Sequence, residues 1–195
     1  VTSLEEVLAR PVEQVAPRLL GAFLTHAGVT VRLTEIEAYA GTADPGSHAY
    51  RGPTDRNRVM FGRAGHLYVY FTYGMHTCAN VVCGSEGVAS GCLLRAGEVV
   101  KGIELARERR LGSSDRDLAR GPARLCQALD IRLTDNGAAL DGGDFELRLD
   151  EPREDIATGP RVGLRGAPER PWRFWLPGEP SVSAYRPAKG LKRPL

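Results

Sequence analysis

The chain reads as one α+β domain, and three observations point there. Residues 29–38, VTVRLTEIEA, alternate in polarity and are rich in β-branched side chains, which marks a long strand. Residues 66–71, 76–83 and 88–95 are three further strand-like runs joined near FTYG and GSEG, which reads as an antiparallel meander. Helical spacing occurs only in scattered stretches, so the order lacks the regular βαβ alternation of a doubly wound parallel sheet. With 195 residues, 42% of them hydrophobic, the chain suits one domain with a real core. No apolar run reaches the roughly 18 residues of a membrane span.

The elements can be justified in order. VTSLEEVLARP has early acids and no basic-then-apolar order, so it is not read as a secretion signal. In 11–20, PVEQVAPRLL, Pro11 suits a first helical turn, and Val12, Val15 and Leu19 fall at helix spacing. Pro17 makes this helix short or kinked. Residues 40–57 are rich in Gly, Pro, Asp, Ser and Thr and read as a long ordered loop, a length usually associated with function. Gly74 and Gly87 can supply the positive φ of the meander turns. Helices are expected over 99–110 and over 122–130, the second opened by Pro122. Short strands are expected at 144–149, 161–164 and 172–176.

Charge is segregated although the net charge is only +2. Residues 130–155 carry nine acids against Arg132, Arg148 and Arg153, and residues 161–195 carry eight bases against Glu169 and Glu179. Such a chain can turn a basic face to a polyanion, or the two segments can neutralise each other. Cys78, Cys83, Cys92 and Cys126 form no CxxC pair and the four histidines no HExxH, so buried reduced thiols are expected and no metal or cofactor.

Three groupings can carry chemistry. In TEIEAYAG, Glu35, Glu37 and Tyr39 share one face of a strand, with Ile36 and Ala38 on the other. Strands are depleted in Glu, so the pair is either a solvated face or a reactive site. The second grouping is the following loop, with His48 and the arginine-rich DRNR. The third is the aromatic hairpin: Tyr68 and Tyr70 on one strand face, Tyr73 beside Gly74 at the turn. Tyr73 can pack on a neighbouring loop or act as a wedge in a partner such as a stacked base pair.

The run EIEAYAG…DPGSHAYRG…DRNRVMFGRAGHLYVYFTYGMHTCANVV resembles the alkyladenine (3-methyladenine) DNA glycosylase family. GCLLRA, GPARLCQAL, GPRVG and WRFWLPG continue the similarity in the same order, from about residue 18 to about 183. The resemblance implies a monofunctional glycosylase of base excision repair that flips alkylated or deaminated purines out of double-stranded DNA and hydrolyses the N-glycosidic bond. The expected lesions are 3-methyladenine, 7-methylguanine, hypoxanthine and ethenoadenine. By match to the family motif, Glu37 is the catalytic carboxylate that activates water, and Arg95 stands by the water and the sugar-phosphate. Tyr39 and Tyr70 sandwich the flipped base, His48 lies at its edge, and Asn80 crowds the exocyclic amine of guanine. Tyr73 fills the vacated stack. Arg56, Arg58 and Arg124 match more weakly as phosphate contacts, and Asn57 and Arg58 could instead brace their loop. Thr77 and Ala79 stand where the family commonly has bulky residues, and His76 where some members have Tyr. The long N-terminal tail of some members is not expected.

The expected architecture is a single domain over 1–195: a curved, mostly antiparallel sheet with a protruding β-hairpin and flanking helices, less ordered from about 186. A cytoplasmic monomer without a membrane partner is expected. Two other readings exist. Glu35 and Glu37, with Cα atoms about 6.5–7 Å apart at strand rise, could serve an inverting glycosidase. Both emerge from one strand, however, instead of flanking a sugar. A non-catalytic damage binder would have no need of Glu37.

Overall fold

A computed structural model of the chain describes residues 3–72, 74–188 and 190. The first helix, α1 (Leu4–Leu8), is too short to show periodicity and is opened by a capping box between Ser3 and Glu6. Helix α2 (Val12–Arg18) is short, as Pro17 predicts, and it buries Val12, Val15 and Ala16. Strands β1 (Phe23–His26) and β2 (Val29–Tyr39) form a hairpin. The expected meander is present as β3 (Leu67–Thr72), β4 (His76–Val82) and β5 (Gly91–Lys101). Helices α3 (Ile103–Arg109) and α4 (Pro122–Ala128) follow, then β6 (Phe145–Arg148), β7 (Ala157–Gly159) and β8 (Arg173–Trp175).

Two boundaries differ from the sequence reading. Strand β5 runs on through 96–101, where a helix was expected from 99, because its tail pairs with Thr30–Leu33 of the long β2. Residues 161–164 form no strand; the strand lies earlier, at β7. The later segment turns at Gly163, φ +67°, and its Arg161 and Val162 reach across to β2.

The sheet is curved and antiparallel, in the order β3-β4-β5-β2-β1-β6. Strand β2 is its axis. One edge pairs with β5 throughout, while the other pairs with β1 in its first half and with β8 over Glu35–Glu37. Register shifts flank Glu35 in the β5 ladder. Helices α2 and α4 pack on the face that carries Ile36 and Ala38, forming the main core. A smaller cluster of Ala49, Met60, Tyr68, Val82 and Ala89 seats the 40–61 loop on the meander. The β3–β4 hairpin protrudes, with Phe71 and Met75 exposed at its end. Tyr73, expected at its tip, lies outside the described residues, as do 189 and 191–195 of the C-terminal tail.

Gly97 lets β5 approach β2. A Cβ there would stand 2.3 Å from Val31 Cγ1 and 2.6 Å from the Arg32 carbonyl oxygen. Gly97→Ala is therefore expected to destabilise the fold by about 1–3 kcal/mol. Thermal unfolding checks this, at about 2–4 °C of Tm for each kcal/mol. An unchanged Tm would mean that the two strands separate freely.

The described ion pairs of the two segments run elsewhere than between them. Bases of the C-terminal segment pair with acids on or just after β2: Arg173 with Glu35, and Arg161 and Arg170 with Asp44. Acids of 130–155 pair locally, Asp130 with Arg132 and Asp155 with Arg153. All four cysteines are buried and free. Among the described residues no helix is long and apolar enough to cross a membrane.

Candidate active site

The polar face of β2 is covered as well as its apolar one. Thr34 through Ala38 are all fully buried. The face carrying Glu35 and Glu37 is roofed by the Arg173 side chain and by the segments around 161–163 and 181–186. This excludes the solvated-face reading. A buried carboxylate is costly unless donors and cations meet it, and the two glutamates are met in different ways.

Glu35 is held by four donors. One oxygen accepts from Arg95 Nε at 3.0 Å, Arg173 Nε at 2.6 Å and Ser183 Oγ at 3.0 Å. The other accepts from the Ser183 N–H at 2.7 Å. Burial pushes this carboxyl up, but the Arg95 and Arg173 charges outweigh it and hold it below the usual range.

Glu37 keeps accepting capacity. Its Oε1 takes the Val162 N–H at 2.6 Å and its Oε2 takes the Tyr39 hydroxyl at 2.8 Å. Arg95 Nη1 stands 3.6 Å from Oε2, an ion pair longer than a hydrogen bond. Burial and the Glu37 charge push the Tyr39 phenol well above its ordinary pKa, so it stays protonated and donates.

Glu37 opens onto a cleft of about 710 Å³, within the range of small-molecule sites. Arg95, Tyr39, His48, Tyr70 and Asn80 all line it, so the structure brings the expected pocket residues together. The His48 ring packs edge-on to Tyr70, centroids 4.5 Å apart, and Tyr70 lies nearly parallel to Tyr68 at 5.5 Å. Burial against these rings, and then the Arg56 charge, hold the His48 imidazole below its ordinary pKa. The imidazole is therefore neutral near pH 7. Burial and the neighbouring Cys78 thiol push the Tyr70 phenol up. Asn80 is buried opposite Tyr68 in the β3–β4 ladder.

The expected phosphate contacts are placed differently from one another. Arg124 is exposed at the start of α4 and lines the cleft with Arg110, Arg120 and Arg186. Arg58 is exposed and has no partner among the described residues. Arg56 donates to the Phe71 carbonyl at 2.6 Å, tying the loop to the hairpin. Asn57 braces the loop: it accepts from the Thr54 N–H and donates to the His48 and Gly52 carbonyls.

Several residues that build this site have no role in the sequence reading. Arg161 and Asp44 form a buried bidentate pair, at 2.5 and 2.8 Å. The guanidinium also donates to the Ala38 carbonyl and lies 4.7 Å from the Tyr39 ring centroid. The pair thus backs Tyr39 and anchors the segment that delivers the Val162 N–H to Glu37. The only sequence signal for Arg161 and Arg173 is their place within GPRVG and WRFWLPG. Asp44 likewise opens DPGSHAYRG, whereas Ser183 has no signal that differs from any loop residue. Tyr68, set beside Tyr70 by alternation, is buried and lines the cleft.

Residues 6–180 match the family model of the methylpurine-DNA glycosylases. A Leifsonia xyli protein provisionally named as a 3-methyladenine DNA glycosylase is 56% identical over 186 residues, covering 89% of this chain and 87% of its own. Provisionally so named as well are a Nocardia farcinica protein, 53% identical over 95% of this chain and 92% of its own, and a Streptomyces avermitilis protein, 52% identical over 93% and 90%. With the match spanning nearly the whole described fold and enclosing all of the cleft's carboxylate and aromatic residues, the chain belongs to the methylpurine-DNA glycosylase family of DNA-repair enzymes.

Proposed function

We propose that this protein is a monofunctional glycosylase that excises alkylated and deaminated purines from double-stranded DNA, with a water activated by Glu37. One observation carries the reading. Glu37 is the single carboxylate among the described residues lining the cleft, it is held by Val162 and Tyr39, and it adjoins an aromatic pocket. Glu35 is fully buried, is held by four donors and does not line the cleft, so it is not placed to act as the base or as a second glycosidase carboxylate.

The damaged nucleotide leaves the stack and its base enters between Tyr39 and Tyr70, with His48 at the edge. A purine alkylated at N3 or N7 is cationic, which aromatic faces favour. The C1′–N9 bond breaks and its electron pair leaves with the purine. Water attacks C1′, and Glu37 takes the water's proton. While the sugar is oxocarbenium-like, the carboxylate stabilises its charge. Arg95 Nη1 orients this carboxylate and the water. Hypoxanthine or ethenoadenine, being neutral, must gain a proton as it leaves. Asn80 excludes guanine by crowding its exocyclic amine. Tyr73 fills the gap in the duplex, and Arg58, Arg124 and Arg56 hold phosphates. One domain serves one nucleotide, so it acts as a monomer in the cytoplasm.

The test is a duplex with one hypoxanthine or 1,N6-ethenoadenine, incubated with enzyme and then with hot alkali. Strand breaks that need the alkali are expected. Breaks without alkali would mean a lyase step. Tight lesion binding without release of any alkylated or deaminated purine would favour a damage binder. Affinity is also expected to fall with salt. Three phosphate contacts give a slope of about −2.7 in log K against log salt, about 40-fold between roughly 50 and 200 mM. A flat response would remove the arginines from the DNA interface.

A further inference from the structure

Among the described residues Arg95 is the one cation paired with Glu37, and its guanidinium is not free to choose where it points. Its Nε donates to Glu35 at 3.0 Å and its Nη2 to Ser183 Oγ at 3.2 Å. Only Nη1 is turned toward Glu37 and the cleft. Ser183 Oγ accepts from Arg95 and donates its own O–H to Glu35 Oε1 at 3.0 Å, which closes a ring of three side chains. Arg173 seals the ring from behind, donating to Glu35 and to the Ser183 carbonyl at 2.8 Å.

Ser183 lies on a strap of chain beyond residue 180, where the family match ends. The strap is stitched across the back of the site. Ser181 Oγ is 2.9 Å from Thr34 Oγ1, Arg120 Nε donates to the Val182 carbonyl at 2.9 Å, and the Gly163 N–H donates to the Arg186 carbonyl at 2.8 Å. Arg186 itself lines the cleft. Two guanidiniums, Arg95 and Arg173, thus face two carboxylates, Glu35 and Glu37, in a buried set with no net charge.

We propose that Ser183 and Glu35 are positioning residues for the reaction at Glu37, holding Arg95 by one edge so that Nη1 is presented to the carboxylate and the sugar. This rests on the reading of Glu37 given above. Neither residue touches the cleft's aromatic pocket, so their loss acts on the chemical step and leaves lesion capture intact. A misplacement on the scale of 1 Å in such a site costs about 100-fold in rate.

Two measurements on the full chain test it. The first compares wild type, Ser183→Ala and Ser183→Thr in single-turnover release of hypoxanthine from duplex DNA, together with the Kd for a duplex carrying a tetrahydrofuran abasic analogue. We expect Ser183→Ala to slow release by about 10- to 100-fold, with Kd within about twofold, and Ser183→Thr to restore most of the rate. Release by Ser183→Ala within about twofold of wild type would overturn the proposal. So would rate and affinity falling together, the mark of a site disrupted as a whole. The second follows solvent exchange of the Arg95 Nε–H by NMR, which needs no activity. Ser183→Ala should raise that exchange about tenfold or more, and unchanged exchange would refute the clamp. An inactive wild type with an intact exchange effect would sink the reading of Glu37 and leave the clamp standing. Glu35→Gln serves as a second variant if it folds, with the same two signatures expected.

Discussion

Glu37→Gln is expected to slow purine release by at least about 1,000-fold while the protein folds and still binds lesion DNA. General-base catalysis is worth about 10²–10⁴ in rate, and charge stabilisation of the transition state adds to it. An amide supplies neither. It does fit the site: its oxygen can accept from the Val162 N–H, and its NH₂ can donate to the Tyr39 oxygen in place of the bond that Tyr39 now donates. The buried set of Arg95, Arg173 and Glu35 would then carry one net positive charge, so affinity for the DNA backbone should hold or rise. Single-turnover alkali-cleavage assays and a binding titration check both halves. Alkali-induced breaks of similar size with the variant would remove Glu37 from the mechanism.

The largest effect on stability is expected at Asp44. Its carboxylate is fully buried and takes two hydrogen bonds from Arg161 and one each from the Gly46 and Ala40 N–H groups. Asp44→Asn leaves the Arg161 charge buried without its partner, a change worth about 3–5 kcal/mol, or about 6–20 °C in Tm. Activity should fall with it, because Arg161 backs Tyr39 and anchors the segment that carries Val162. The effect is pH-dependent, with a definite sign. Burial raises the Asp44 pKa, but the Arg161 hydrogen bonds and charge and the two backbone donors bring it below the ordinary value. A carboxylate of this kind contributes its full stability above the unfolded pKa, about 4, and loses it as the pH falls through the folded value. The gap in unfolding free energy between wild type and Asp44→Asn should therefore narrow as the pH is taken from 7 to about 3. Denaturant unfolding at the two pH values decides it. A constant gap would mean that the charge of Asp44 is irrelevant and that only its shape counts.

The contrast between the two glutamates shows how far local pattern reaches. Alternation alone puts Glu35, Glu37 and Tyr39 on one face, and Arg95 touching both carboxylates agrees with that despite the register shifts around Glu35. Alternation cannot say which carboxylate meets the cleft. That depends on Ser183 and Arg173, more than 130 residues away, which donate to Glu35 and not to Glu37. The 161–164 segment makes the same point. RVGL has strand-like composition, yet the pairing strand is 157–159, because the pull of Asp44 and Glu37 on Arg161 and Val162 turns the chain away from the ladder. The tail of β5 is a strand for a similar reason, since β2 is long enough to pair with it.

What the sequence by itself determined is the part that short-range physics controls: the long β2, the meander with its exposed hairpin, the proline-opened α4, and a motif set specific enough to name the family. What only the tertiary structure decided is the division of labour among charges. The Asp44–Arg161 pair, the donors around Glu35 and the strap that carries Ser183 all join residues separated by 60 to 148 positions. Buried charges are held by whichever opposite charge the fold brings within about 3 Å. Distance along the chain carries no information about that distance in space.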